Sequence, residues 1–265
     1  ETKVEKADQS NLPHSGTRAV TAPVPPVLGK PIRLGPNEID LEQVWSHLSR
    51  KSLFSLSWGL RGNSMKDSEA EGERLLEEWK KKVVDGRLFE PKIVYGYYTC
   101  HNRGGKLLVD YPEGQVEFDF PRSAQSKHLC LSDYFGENDI VAFQAVTVGQ
   151  HVQEIIDRWN KEDKYTDAYY LHGLAVETAE ALAEITQKRI QDELKIGKSG
   201  LRYSWGYPSC PDVSQHHLVW KILQPEKSGM TLTEAGQIIP EQSTAAIVVH
   251  HCLLYTSPSP RDISG

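Results

Sequence analysis

The sequence has few cysteines, and their arrangement does not match a disulfide framework or a zinc site. Four are present, at positions 100, 130, 210 and 252, with no CxxC pair and no regular spacing. The pairs His216-His217 and His250-His251 are poor chelators, because adjacent residues on a strand point to opposite faces. We therefore expect no disulfide framework, no metal site and a reducing, cytoplasmic location.

Long apolar runs and excess positive charge are also missing. No stretch approaches the roughly 18 consecutive apolar residues of a membrane span, and the opening residues contain no apolar signal core. The 265 residues carry a formal net charge of −6, whereas nucleic-acid-binding surfaces are basic. These absences argue against a membrane or a nucleic acid as partner.

Familiar nucleotide-binding and hydrolase motifs are absent as well. There is no GxGxxG, which leaves a dinucleotide-binding Rossmann site unsupported. Gly197-Lys198-Ser199 resembles the end of a P-loop, but Asp192 stands where that motif requires glycine. Neither a GxSxG elbow nor HExxH occurs, so we predict no catalytic residue.

The two ends of the sequence differ from its middle. Residues 1–37 are polar and then proline-rich, which predicts a linker or N-terminal arm. The first residue is Glu1 rather than Met, so we expect that coding sequence is missing before it. Residues 252–265 resemble a translated sequencing adapter and are left out of the fold prediction. One domain is expected between them, over residues 38–251.

The middle region shows strand patterns before helix patterns. A short helix is expected over DLEQVWSHLSR with Asp40 as its cap, and an amphipathic helix over 68–86, capped by Ser68 and ended by Gly86. The remaining elements are strands over 92–99, 106–111, 115–120 and 139–149, helices over about 150–160, 165–195 and 214–224, and a strand at 245–251. This order predicts an α+β fold: a single domain with a twisted antiparallel sheet and grouped helices.

The run RYSWGYPSCPD, residues 202–212, is unusually rich in shape-defining residues for a loop. Arg202 can hold a carboxylate through two parallel hydrogen bonds. Gly206 lets the backbone approach a ligand closely, and Pro208 keeps Tyr207 extended. The run suits a small zwitterion that carries a flat base; the alternative is a surface loop whose aromatic residues only pack.

Several motifs in a fixed order resemble one family, the AdoMet-binding reactivation domain of cobalamin-dependent methionine synthase. They lie between Val27 and His250, and in chain order they are CLSDYF, DIVAFQAVTVG, LHGLAVETAEALAE, RYSWGYPSCPD, LVWKIL and EKSGMTLTEAG. The resemblance implies the fold of that domain and a role in returning cob(II)alamin to methylcobalamin within a homocysteine S-methyltransferase.

The resemblance also implies a set of cofactor-binding residues for S-adenosyl-L-methionine (AdoMet). Arg202 matches the arginine that binds the methionyl carboxylate, and Glu180 matches an acidic residue that faces the site. The first helix of the family often carries an acidic residue or Asn, where this sequence has Ser49 or Arg50, depending on a one-residue gap. The complete implied set is Arg202, Tyr203, Gly206, Tyr207, Glu180 and Ser49.

The implied partners are a cobalamin-binding domain, in the same or a separate chain, and a flavodoxin-like electron donor. The cobalamin signature Asp-x-His-x-x-Gly is absent from the sequence, so we expect cobalamin to be bound elsewhere and this chain alone not to complete turnover. Two alternatives stay open: a free-standing module that binds AdoMet or docks a corrinoid protein, and a scaffold that has lost ligand binding.

Overall fold

One antiparallel sheet with helices on both faces forms the structure, a computed structural model that describes residues 23–60, 65–122 and 130–250. The strands of the sheet are β1 (Ile32–Leu34), β2 (Lys92–Arg103), β3 (Lys106–Tyr111), β4 (Gly114–Asp119), β5 (Asp139–Thr147), β6 (Gly200–Ser204) and β9 (Ser243–His250). A separate hairpin pairs β7 (Thr231–Leu232) with β8 (Ile238–Ile239). The helices are α1 (Leu41–Trp45), α2 (Met65–Gly86), α3 (Gln150–Lys161), α4 (Tyr165–Leu194) and α5 (His216–Leu223). The predicted α+β fold with an antiparallel sheet is confirmed.

The order of the strands places β6 at an edge of the sheet. The order is β4-β3-β2-β5-β9-β6, and β1 pairs with β2 outside this path. Every pairing is antiparallel, including Ala145 opposite Ala245 between β5 and β9. The last described strand therefore lies inside the sheet, between β5 and β6.

Two apolar cores cover the two faces of this sheet. On one face α1 to α4 pack against alternate strand residues such as Ala142, Val146 and Val248. On the other face α5 and the β3–β4 hairpin pack against Phe143 and Ile247. The apolar faces of α2, α3 and α4 are buried in this first core or packed against it, through Leu75, Trp79, Val83, Val152, Ile155, Ile156, Trp159, Leu171, Ala175, Leu182 and Ile190.

A tight turn joins β2 to β3. Gly104 and Gly105 have φ angles of +64° and +89°, and they connect β2 to β3 where Arg103 lies opposite Lys106. Glycine fits such a turn because residues with a Cβ rarely adopt positive φ.

Some boundaries differ from the prediction. Asp40 caps α1 by accepting a hydrogen bond from the Glu42 amide, but α1 ends at Trp45 and a π-helical segment, Ser52–Ser57, follows. The prediction that Ser68 caps the second helix is wrong, because α2 begins at Met65 and Ser68 lies inside it. The helix does end at Gly86, although the left-handed residue there is Arg87.

The ends of the chain bear on the predicted domain boundaries. The N-terminal arm expected over 1–37 contains β1, whose Ile32 lies opposite Tyr95 of β2. The adapter-like residues 252–265 lie outside the described residues. The domain boundary near residue 38 stays a prediction.

Candidate ligand-binding site

The first residues of the RYSWGYPSCPD run form β6 rather than a loop, and this determines where their side chains point. Arg202 lies opposite Val248, which belongs to the core beneath α4. Tyr203 lies opposite Ile247, and both belong to the core on the other face. Because side chains alternate along a strand, Arg202 and Ser204 face α4 while Tyr203 faces away from it.

Arg202 and Glu180 form an ion pair between β6 and α4. The guanidinium Nη2 donates a hydrogen bond to Glu180 Oε2 at 2.6 Å. The Arg202 side chain is 14% exposed and that of Glu180 is 34% exposed, so the pair is shielded on one side and open to solvent on the other. The structure thus brings together two of the predicted site residues, a cation and an anion.

The loop after β6 is held closed by Cys210. Its Sγ donates to the Ser204 carbonyl at 2.8 Å, and its backbone carbonyl accepts a hydrogen bond from the Gly206 amide at 2.9 Å. Burial raises the pKa of the Cys210 thiol to about 12, so the sulfur keeps its proton as a donor. Gly206 has φ +92°, and Tyr207 is 46% exposed at the outside of the loop. The run is therefore a rigid edge that presents Tyr207 to solvent.

Tyr203 is placed differently from the other predicted residues of this run. Its side chain is buried in the core on the face away from α4, and burial raises the pKa of its phenol to about 12. Only its backbone lies along the edge next to Arg202. A direct side-chain contact with a ligand held by Arg202 would require Tyr203 to leave that core.

The first-helix candidates make local contacts. Ser49 Oγ is 2.8 Å from Ser52 Oγ and accepts a hydrogen bond from the Ser52 amide. Arg50 donates to the carbonyls of Trp45 and Leu48 and forms an ion pair with Glu73. Within the described part of the chain, no hydrogen bond or ion pair joins Ser49 to Arg202 or Glu180.

The π-helical segment reaches α4 at another carboxylate. Ser57 Oγ donates to Glu177 Oε1 at 3.1 Å, and Glu177 lies one helical turn before Glu180. Residues three apart on a helix share a face. Two glutamates three residues apart, Glu177 and Glu180, are the sequence pattern that indicates a second carboxylate on this face of α4.

A cleft of about 630 Å³ begins where β6 ends. Its lining includes Trp205 from the run itself, His216 from α5, and polar groups from the β7–β9 region and α3; these residues are Gln153, Thr233, Gln237, Glu241, Ser243 and Thr244. The Trp205 indole packs edge-on against His216, and its buried Nε1 has no hydrogen-bond partner among the described residues. Burial lowers the pKa of His216, whose Nδ1 is 2.7 Å from the Gly236 carbonyl.

The described residues contain neither a membrane-spanning helix nor a cluster of metal ligands. No helix in residues 23–60, 65–122 and 130–250 is long and apolar enough to cross a bilayer. In the same ranges, no group of three His, Cys, Asp or Glu side chains is arranged to hold a metal ion.

Comparison with known proteins assigns a family. The family described as "Vitamin B12 dependent methionine synthase, activation domain" matches residues 40–253. Methionine synthase of Mycobacterium tuberculosis is 32% identical over 88% of this chain, and that of Mycobacterium leprae is 31% identical over the same share. The matched region makes up 23% and 22% of these relatives, so the chain spans about a quarter of their length.

A solved structure shows the same fold. The crystal structure of the MetH reactivation domain bound to AdoHcy superposes with a TM-score of 0.75 at 21% sequence identity, over 88% of this chain and 82% of that one. On the family match and the identity to the mycobacterial proteins, the chain belongs to the activation domains of vitamin B12-dependent methionine synthases.

Proposed function

We propose that the chain binds AdoMet along the β6 edge and presents its methyl group for transfer to cobalamin within a methionine synthase. The observation that carries this proposal is the half-open Arg202–Glu180 pair between the β6 edge and α4. The relative of known structure has AdoHcy bound, which supports the same class of ligand here.

The ion pair is suited to the amino-acid end of AdoMet. The ligand carries one carboxylate and one ammonium, which are the charges that Arg202 and Glu180 already present to each other. On binding, the ligand carboxylate replaces Glu180 at the guanidinium and its ammonium replaces Arg202 at the carboxylate. Neither protein charge is left unpaired after this exchange, so the cost of an isolated, partly buried charge is avoided.

The cleft is suited to the adenosyl end. Trp205 lies three residues beyond Arg202 and faces the other side of β6, so a ligand anchored at Arg202 must pass the end of the strand to reach the cleft. Its volume of about 630 Å³ is within the usual range of small-molecule sites. The Trp205 Nε1 proton is a donor without a described partner, and an adenosyl group carries several acceptors for such a donor.

The proposed chemistry requires placement rather than acid–base catalysis. Transfer would break the sulfonium–methyl bond and leave the bonding electron pair on sulfur as AdoHcy, and a cobalamin held by another domain would supply, from its reduced cobalt, the electron pair for the new bond. This chain's residues hold the amino-acid end at Arg202 and the loop at Cys210, which fixes the direction of the sulfonium. Orientation of this kind lowers the barrier of an in-line transfer without a protein nucleophile.

Cobalamin is assigned to another domain in this proposal. The sequence lacks Asp-x-His-x-x-Gly, the signature of a cobalamin-binding domain. The mycobacterial methionine synthases are about four times as long as the matched region, which leaves ample chain for a cobalamin domain in such a protein. A flavodoxin-like electron donor and a cytoplasmic location complete the proposal on the family resemblance.

Calorimetric titration of the protein with AdoMet and AdoHcy tests the proposal. We expect binding of both, and we expect Arg202→Ala to weaken it about ten- to a hundredfold, because a charge-assisted pair contributes roughly 1.5–3 kcal/mol. Arg202→Lys recovers only part of this loss, since an ammonium cannot form the planar two-bond contact.

Arg74→Ala is the matched control, because Arg74 is also paired with glutamates but lies on the exposed face of α2. Its affinity for AdoMet should equal that of the wild-type protein. Absence of binding heat at millimolar ligand would refute the proposed function, and equal binding by wild type and Arg202→Ala would move the carboxylate site elsewhere.

A further inference from the structure

Two glutamines of α4 converge on one backbone oxygen of β6. Gln187 Nε2 donates to the Gly200 carbonyl at 2.7 Å, and Gln191 Nε2 donates to the same oxygen at 2.5 Å. Both side chains are half-buried. A carbonyl oxygen has two lone pairs, so the two amides together saturate it.

Gly200 allows this close approach. A Cβ at this position would lie 2.7 Å from Ile196 Cδ1 and 3.0 Å from Gln191 Cγ. A side chain at position 200 would therefore require the side chains of Ile196 and Gln191 to shift. Glycine at the start of β6 thus lies opposite two amide donors of α4, Gln187 and Gln191.

The same two elements carry the ion pair a short distance away. Arg202 is two residues after Gly200 on β6, and Glu180 is seven residues, or two turns, before Gln187 on α4. The α4 residues that bond Gly200 and the α4 residue that pairs with Arg202 therefore lie along the same side of the helix. Because β6 is an edge strand, its hydrogen-bonded strand partner is β9 on one side only.

We infer that Gln187 and Gln191 are positioning residues, which fix the edge strand against α4 so that Arg202 stays opposite Glu180. This inference rests on the proposed function for its effect on ligand affinity. Without the two amides, the backbone of β6 at Gly200 keeps its pairing with β9 but loses its hydrogen bonds to α4, and the guanidinium samples positions in which it cannot grip a carboxylate with two bonds.

The test uses Gln187→Leu, Gln191→Leu and the double variant, since leucine is similar in size but cannot donate. Each is titrated with AdoHcy and with an AdoHcy analogue that lacks the carboxylate. We expect each single variant to weaken AdoHcy binding about threefold to tenfold, the effect of one lost hydrogen bond. Affinity for the decarboxylated analogue should stay unchanged, because that ligand does not use Arg202.

A double-mutant cycle adds a second criterion. In the Arg202→Ala background, the glutamine substitutions should have no further effect on AdoHcy affinity, because they act through the missing guanidinium. Lys188→Ala is the control on the same helix; its side chain is exposed and paired with Glu184, so neither ligand should bind differently.

A readout without ligand separates this inference from the proposed function. Hydrogen exchange of the Arg202 Nε proton, followed by NMR in the free protein, should be faster in the leucine variants. If wild type fails to bind AdoHcy, the proposed function is wrong, while this exchange rate still tests the positioning role. Equal weakening of both ligands with a matching loss of stability, or unchanged exchange and affinity in the double variant, would overturn the inference.

Discussion

At the scale of single residues, His250 and Asp139 form a buried titratable pair at the end of β9. His250 Nε2 lies 3.2 Å from Asp139 Oδ1 and 2.8 Å from the Ile140 carbonyl. Burial by itself lowers the His250 pKa, but the hydrogen bond and attraction of Asp139 outweigh it and the pKa is raised. Burial likewise raises the Asp139 pKa, and the hydrogen bonds it accepts from His250 and the Gly136 amide lower it overall.

This pair predicts a pH-dependent contribution to stability. A histidine with a raised folded-state pKa stabilises fully below its unfolded pKa of about 6.5, and that contribution is lost as the pH rises through the folded value. The Asp139 contribution is lost only as the pH falls through its lowered pKa. In urea unfolding, the excess stability of wild type over His250→Gln should shrink as the pH rises from about 6.5 through the raised folded-state pKa of His250. A constant difference across this range would show that the pair is not charged.

Individual residues of the site were predictable to different degrees. Arg202 and Glu180 came from motifs, and the structure pairs them. Trp205 stood in the same run without being singled out, because its role depends on a cleft formed by distant segments. The family resemblance implies a role for Ser49 on the first helix, but that helix ends at Trp45 and Ser49 forms its hydrogen bonds within the following turn.

At the scale of elements, the β7–β8 hairpin is fastened to the N-terminal end of α5 at one glycine. Gly236 has φ +82°, and a Cβ there would lie 2.4 Å from the Val213 carbonyl oxygen. Its own carbonyl oxygen is 2.7 Å from His216 Nδ1. The hairpin and α5 together form one wall of the cleft, so this contact shapes the proposed adenosyl site.

Gly236→Ala should therefore destabilise the protein by about 2–4 kcal/mol, through both an unfavourable φ and a backbone clash. Gly197→Ala is a matched control, because Gly197 has φ +55° but its Cβ would meet nothing within 4 Å. The control should lose only about 1–2 kcal/mol, the cost of the left-handed conformation alone. Urea unfolding of both variants measures the difference, and equal losses would contradict a tight contact at Gly236.

Long, periodic elements were predicted well and short ones were not. The strands at 106–111 and the helices α3 and α4 match their predicted bounds within a residue or two, since their apolar patterns span whole elements. The sequence predicts a loop where β6 lies, because this strand has only five residues and is followed at once by Gly206 and Pro208. β1 was missed within a proline-rich stretch, where its pairing with β2 decides its structure.

At the scale of the whole molecule, the two cores share strands β2, β5 and β9, and this favours one cooperative unit. We propose that residues 38–251 form one domain, with the end of the preceding arm attached through β1. Limited proteolysis should remove about the first 30 residues and the tail after residue 251, and leave a single fragment. A stable cut near 122–128 that yields two separable pieces would contradict a single domain.

The overall topology could not be read from local patterns. Sequence order suggested neighbours for the hairpin strands β2, β3 and β4, which do pair in that order. The insertion of β9 between β5 and β6 depends on contacts between residues about 100 apart, such as Ala145 with Ala245, and no local pattern encodes them.

The position of β9 also has a consequence for synthesis of the chain. A ribosome produces β5, then α3, α4 and β6, before it produces the strand that joins β6 to the rest of the sheet. Until residues 243–250 have emerged, Arg202 lies on a segment with no strand beside it. The nascent chain can therefore complete the proposed AdoMet-binding edge only after β9 has been translated.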